Sequence, residues 1–135
     1  MSTLAVGTIK SISSAAPVFQ NTSGVEKGQL AKAWVNFNGT GTVAIRDSFN
    51  VGSITDNATG DYTVNFATNM SNDDYAIALS TKSGTNNQVS TSNRPMIRMI
   101  TGGYDTSGFR VIHSNVAAQS ASDPLIFNCI VFGDN

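Results

Sequence analysis

The chain carries one histidine, His113, and one cysteine, Cys129. His113 closes the run GFRVIH, and Cys129 lies inside LIFNCIVF. A transition-metal site needs several His, Cys or carboxylate ligands gathered in one place. His113 has no second histidine to pair with, and Cys129 sits in an apolar run, so no metal site is expected. A nucleophilic cysteine needs an activating base in a polar, exposed setting. Cys129 reads instead as a small buried hydrophobe. His113 reads as a surface or interface residue. No catalytic residue is assigned, and one cysteine excludes an intrachain disulfide.

The carboxylates offer little more. Asp56 and Asp61 flank NATG, and Asp73 and Asp74 are adjacent. Calcium loops place carboxylates at tight alternate spacing around a turn glycine. DNATGD lacks the later ligands of such a loop, so its Asp and Asn read as turn hydrogen-bonders. Glycoside hydrolysis needs two carboxyl groups across a cleft, and the nine acidic residues, mostly in turns, give no positive sign of one. NGTGTV has Gly39 and Gly41 but no lysine in phosphate-loop position, so it reads as a hairpin turn. The N-x-S/T sequons at Asn21, Asn38, Asn57 and Asn69 follow from an Asn/Ser/Thr-rich composition.

What remains is chemistry of recognition. The loop TKSGTNNQVSTSNR holds Lys82, Asn86, Asn87, Gln88, Asn93 and Arg94. Side-chain amides carry both donors and acceptors, as sugar hydroxyls require. A second polar loop, GGYDTSG, adds Tyr104 and Asp105. The candidate glycan-binding set is therefore Lys82, Asn86, Asn87, Gln88, Arg94, Tyr104 and Asp105.

These loops need strands to hold them. Tyr62, Val64 and Phe66 alternate with Thr63, Asn65 and Ala67, which puts the large residues on one face. The run 51–55 and this alternating run, joined through DNATGD, predict a hairpin. AWVNFN sets Trp34 with Asn36 and Val35 with Phe37. Tyr75, Ile77 and Leu79 share a face, as do Phe109 and Val111. PMIRMI begins at Pro95, which is tolerated at a strand start. No segment has sustained helical periodicity, although one helical turn is possible over residues 27–32 against the cost of Gly28. Seven or eight short strands at near-regular spacing predict an all-β sandwich or barrel.

LIFNCIVF is apolar on both faces, with Leu125, Phe127, Cys129 and Val131 on one and Ile126, Ile130 and Phe132 on the other. A strand buried on both faces lies between two layers. In so small a domain the second layer is expected to be another subunit. The candidate interface set is Met96, Met99, Ile126, Ile130 and Phe132. Residues 1–27 form a different region, rich in Ser, Thr, Ala and Gly, with a weak strand pattern at Leu4, Val6 and Thr8. They are expected to be an arm for attachment or subunit contact, and 28–135 the β domain.

The 135 residues suit one domain whose core can hold without disulfides. Charged residues make up 13%, about half the usual share of ~25%. Ser, Thr, Asn and Gly fill the gap, as befits turn-rich β-structure. A formal net charge of -1 and no basic block argue against nucleic acid. No apolar run approaches the ~20 residues that span a bilayer. The N-terminus shows no charged region followed by an apolar stretch, so no signal peptide is expected. No cofactor is expected either.

The segment AWVNFNGTGTVAIRDSFNVGSITDNATGDYTVNFATNMSNDDYAIALS resembles tail-fibre-like structural proteins of tailed bacteriophages, especially those of aquatic bacteria and cyanobacteria. WVNFNGTG, AIRDSFNVGSITDN and GDYTVNFATNM with the Tyr75 strand carry the resemblance over about 50 residues. The GDYTVNF hairpin, the YAIALS strand and a final strand ending at Gly133 are also similar in pattern to the H-type lectin fold. That fold is an antiparallel β-sandwich that trimerises and binds sugars near subunit contacts. The resemblance implies a virion protein made in the host cytoplasm, a homotrimer with other tail or capsid proteins as partners, and host-surface carbohydrate as ligand. Tail fibres usually carry a longer anchoring domain and shaft, so a purely structural capsid decoration or tail-adaptor role is the alternative expectation.

Overall fold

A computed structural model of the chain describes residues 5–11, 17–82, 93–97, 103–115 and 120–133, with only the backbone for 93–97 and Asn115. The described residues form strands and turns without a helix. They divide into two units, Met1–Leu30 and Ala31–Asn135.

In the first unit, β1 (Phe19–Gln20) pairs antiparallel with β2 (Glu26–Gly28). Asn21 closes the connection: its Oδ1 accepts the amides of Ser23 and Val25 at 3.1 and 2.9 Å. The helical turn possible at residues 27–32 is not formed, because Glu26, Lys27 and Gly28 are strand. Val6 and Thr8 lie in no strand, and Leu4 is outside the described residues.

The second unit is a two-layer antiparallel sandwich. Its four-stranded sheet runs β4 (Ala44–Phe49), β3 (Ala33–Asn38), β12 (Ile126–Phe132), β7 (Ala76–Lys82). The other sheet holds β5 (Val51–Ala58), β6 (Asp61–Phe66), β8 (Asn93–Ile97), β9 (Tyr104–Asp105), β10 (Gly108–Asn115) and β11 (Ser120–Ala121). Strand β10 is its spine. Phe109 faces both Val64 of β6 and Tyr104 of β9, and Val111 faces both Tyr62 of β6 and Ile97 of β8. Strands β8 and β9 therefore line one side of β10 and β6 the other.

Period-two alternation builds the core. Ala33, Val35 and Phe37 meet Phe127, Cys129 and Val131 from one sheet; Tyr62, Val64, Phe66, Phe109 and Val111 come from the other. The Phe37 and Phe127 rings stack with centroids 5.2 Å apart, and Tyr62 meets Phe37 edge-on at 5.2 Å. Phe66 meets Tyr75 edge-on at 5.5 Å. Such edge and offset geometries suit the ring quadrupoles.

The hairpin at DNATGD is tighter than its composition suggests. Strand β5 runs on to Ala58, leaving Thr59 and Gly60 as the turn. Gly60 has φ 67°, a left-handed conformation open to glycine. A Cβ there would also strike the His113 carbonyl oxygen. The crossing from β4 to β5 turns on Asn50, at φ 53°. Its Nδ2 donates to the Lys32 and Thr68 carbonyls, both at 3.2 Å, and its Oδ1 accepts the Thr68 amide at 2.8 Å. Asn tolerates this backbone better than other non-glycine residues.

Candidate functional site

Strand β12 is central, but its outer face is open. Ile130 is 42% exposed and Phe132 41%, while Phe127, Cys129 and Val131 on the inner face are buried. The strand lies on one layer, with no second layer over Ile130 among the described residues.

Register aligns the outer face into rows across the strands. Phe49 of β4 lies opposite Trp34 of β3, Trp34 opposite Ile130 of β12, and Ile130 opposite Ala78 of β7. Phe49 is 54% exposed and Trp34 is half-buried. Phe132 and Ala76 extend this apolar row at its corner. Large exposed apolar side chains gathered in one patch mark a surface that another molecule covers.

The next row is polar. Asp47, Asn36, Asn128 and Ser80 lie opposite one another in turn. Its side chains are already joined: Asn36 Nδ2 donates to Asn128 Oδ1 at 2.7 Å, and Asn128 Nδ2 to Ser80 Oγ at 3.1 Å. Arg46, at the bulge in the β3–β4 pairing, reaches the same row. Its Nη1 lies 3.5 Å from Asn36 Oδ1, and its Nη2 donates to the Leu125 carbonyl at 2.8 Å. Each amide uses one N–H within the row, and a side-chain amide carries two.

Of the candidate glycan residues whose side chains are described, Lys82 lies apart from Tyr104 and Asp105. Lys82 is exposed at the end of β7, opposite Ile126. Arg94 is on β8 opposite Ser114, with only its backbone described. Asn86, Asn87 and Gln88 lie outside the described residues. Tyr104 and Asp105 sit at the other end of the sandwich. Tyr104 stacks on Tyr75 with centroids 5.2 Å apart, and Tyr75 begins the segment that ends at Lys82. Lys82 is seven positions beyond Tyr75, roughly 23 Å at strand rise.

Asp105 is engaged as a turn acceptor. Its Oδ1 takes the Ser107 amide and hydroxyl, both at 2.9 Å, and these bonds, the amide first, hold its carboxyl below the usual range. Burial pushes the Tyr104 phenol up.

The candidate interface residues divide between sheets. Ile126, Ile130 and Phe132 are on β12, whereas Met96 is on β8 opposite Ile112. Met99 lies outside the described residues.

His113 overturns its surface expectation, for it is fully buried. It falls on the Phe109–Val111 face of β10, so alternation carries it into the core. Its Nδ1 lies 2.7 Å from the Ser122 carbonyl oxygen, which can only accept, so Nδ1 carries the hydrogen there. Cys129 is buried, as its apolar run implies, and burial raises its thiol pKa. Asp61 is not a loose turn carboxylate either. Arg110 Nε and Nη2 grip its two oxygens at 2.6 Å each, and those bonds raise the guanidinium pKa. Among the described residues no group of His, Cys, Asp and Glu is arranged to hold a metal ion.

The sequence alone did not single out the outer-face residues Trp34, Asn36, Phe49 and Asn128. The W-x-N and N-x-I spacings were visible within their strands. The register that lines them up was not.

The chain matches no family model, no curated protein and no solved structure.

Proposed function

We propose that the chain is a bacteriophage virion structural protein, a tail-fibre or tail-tip component that binds host-surface glycans. The resemblance of residues 33–80 to tail-fibre-like proteins supports the virion assignment. One structural observation carries the recognition half: Phe49, Ile130 and Phe132 stand exposed on one sheet face beside a row of amides. Recognition by such a face requires no covalent chemistry. Each site binds weakly, and copies held together on one particle multiply the effect.

In this reading the N-terminal unit joins copies into a trimer or fixes them to the particle. It exposes Val6, Ile9, Val18, Phe19, Val25 and Leu30, an apolar share suited to being covered by a partner. Binding of the full chain to an array of bacterial-surface glycans is the direct test. Saturable binding to at least one glycan supports the reading, and none at millimolar concentration removes it.

A second, purely structural reading is favoured by Ile126, Ile130 and Phe132 sharing one strand. There the same face is the subunit seam of a decoration or adaptor protein. Sedimentation separates the two. A trimer at micromolar concentration that Ile130→Ser and Phe132→Ser dissociate supports the seam. A trimer lost only on deleting residues 2–30 supports the first reading.

A further inference from the structure

We infer that the outer face of the four-stranded sheet binds a neutral saccharide chain laid across the strands. Its ring faces rest on Phe49, Trp34 and Ile130, and its hydroxyls meet Asn36, Asn128 and Ser80. The inference rests on the glycan-recognition reading and moves its site from the loops to the sheet.

Size favours a small occupant over a second copy. Four strands at their usual spacing, six or seven residues long, present roughly 300–400 Å² in projection. A stable protein interface buries about 800 Å² of accessible surface on each partner, so a second copy would have to draw on residues around this sheet face as well. The face alone falls short of that, but it is ample for a short run of sugar rings.

Chemistry decides for a saccharide. Pyranose rings are amphiphilic, with C–H faces that lie on aromatic or aliphatic side chains and hydroxyl edges that both donate and accept. The two adjacent rows offer those surfaces side by side: Phe49–Trp34–Ile130–Ala78 is apolar, and Asn36–Asn128–Ser80 is uncharged and polar. The bonds Asn36 to Asn128 and Asn128 to Ser80 fix the amide orientations in advance, so little side-chain freedom is lost on binding.

Charge decides for a neutral ligand. Arg46 is held by the Leu125 carbonyl and Asn36, and Asp47 Oδ1 accepts the Ser48 amide at 2.9 Å. Lys82 stands at the rim, at the far end of β7. Arg46 and Asp47 offset each other, and Lys82 adds a single cation, short of the row of cations that would draw an anionic polymer.

Trp34 is the only tryptophan in the chain, so its emission reports this face alone. The experiment titrates the full chain with soluble neutral polysaccharides (a galactomannan, a β-glucan and a dextran) and with anionic alginate. The expected result is a saturable shift in Trp34 emission with at least one neutral polymer and none with alginate. Phe49→Leu keeps the apolar volume but removes the ring, and should weaken binding about tenfold. Asn128→Ala should weaken it about fivefold. Circular dichroism and unchanged melting confirm that each variant folds.

Three outcomes overturn the inference. Glycan-array binding that survives Phe49→Leu and Asn128→Ala puts the site elsewhere and leaves the glycan reading standing. Trp34 emission that follows protein concentration but ignores saccharide makes a second copy the occupant. Silence on both the array and the polysaccharides removes the glycan reading together with the site.

Discussion

Tyr62 donates its phenolic hydrogen to Asp123 Oδ1 at 2.7 Å, and that oxygen also accepts the Gly60 amide at 2.6 Å. The phenol lies 3.1 Å from the Gly39 carbonyl as well. One side chain thus ties the β5–β6 turn, the β3–β4 turn and the approach to β12. Tyr62→Phe keeps the ring against Phe37 and Phe127 but leaves the carboxylate short of a donor. Asp123 is exposed and can turn to water, so the loss is that of one hydrogen bond, about 0.5–1.5 kcal/mol. Urea unfolding should show that loss as a lower midpoint with an unchanged slope.

The tyrosines also set an alkaline limit. Burial pushes the Tyr75 phenol up to about 12, and burial with the Asp123 hydrogen bond pushes Tyr62 higher still. In the unfolded chain both titrate near ~10. Between those values the unfolded state has released its protons while the folded state keeps them. Fewer protons bound in the unfolded state means that stability falls as pH rises. Stability should therefore begin to fall near pH ~8.5, as ionisation of the buried Cys129 thiol is linked to unfolding, and drop further from pH ~10 towards pH ~12 through the tyrosines. Melting temperature against pH measures it, and Tyr75→Phe should flatten the decline.

Cys129 should be silent to thiol reagents in the native state. Its side chain is buried between Val35 and Leu79 by register, and burial alone raises its pKa. The thiolate is the reacting species, so modification must wait for opening. Labelling with a disulfide reagent should follow the unfolding equilibrium through a urea series. Fast stoichiometric labelling without denaturant would contradict the buried placement.

Asn50 joins two roles at the crossing between sheets. Asn50→Gly keeps the left-handed backbone but removes three hydrogen bonds, and Asn50→Ala loses both. Left-handed backbone costs about 1–2 kcal/mol for a residue with a Cβ. The alanine variant should be the less stable by about that amount, a difference thermal melts of the pair resolve.

The strand faces were legible because the chain states them outright: Tyr62, Val64 and Phe66 against Thr63 and Asn65. Asn-Gly at residues 38–39 marked its turn for the same local reason, and Asn38 Nδ2 donates to the Thr40 carbonyl at 2.6 Å. His113 misled because a polar residue weighs against burial until its partner, Ser122, is known. The site was hidden for a related reason. Asn36 and Asn128 are 92 positions apart, and only the β3–β12 register brings them to 2.7 Å. Tyr104 and Lys82 could not be placed relative to one another from sequence; the fold puts Tyr104 beside Tyr75 and Lys82 at the other end of β7.

That separation yields the last prediction. Tyr104 stacks on Tyr75 at 29° between planes, and the Tyr75 hydroxyl donates to the Gly108 carbonyl at 2.8 Å with the Asp105 carbonyl 2.9 Å away. Tyr104→Ala removes a half-buried ring from this cluster. An aromatic pair adds about 0.5–1.5 kcal/mol beyond the area it buries, so the variant should unfold at lower urea. It sits on the far sheet from Trp34 and touches neither row of the outer face. Its polysaccharide affinity should therefore equal that of the native chain at temperatures where both are folded. Isothermal titration on the two proteins checks this: a loss of affinity without a loss of stability would return the site to the Tyr104 loop.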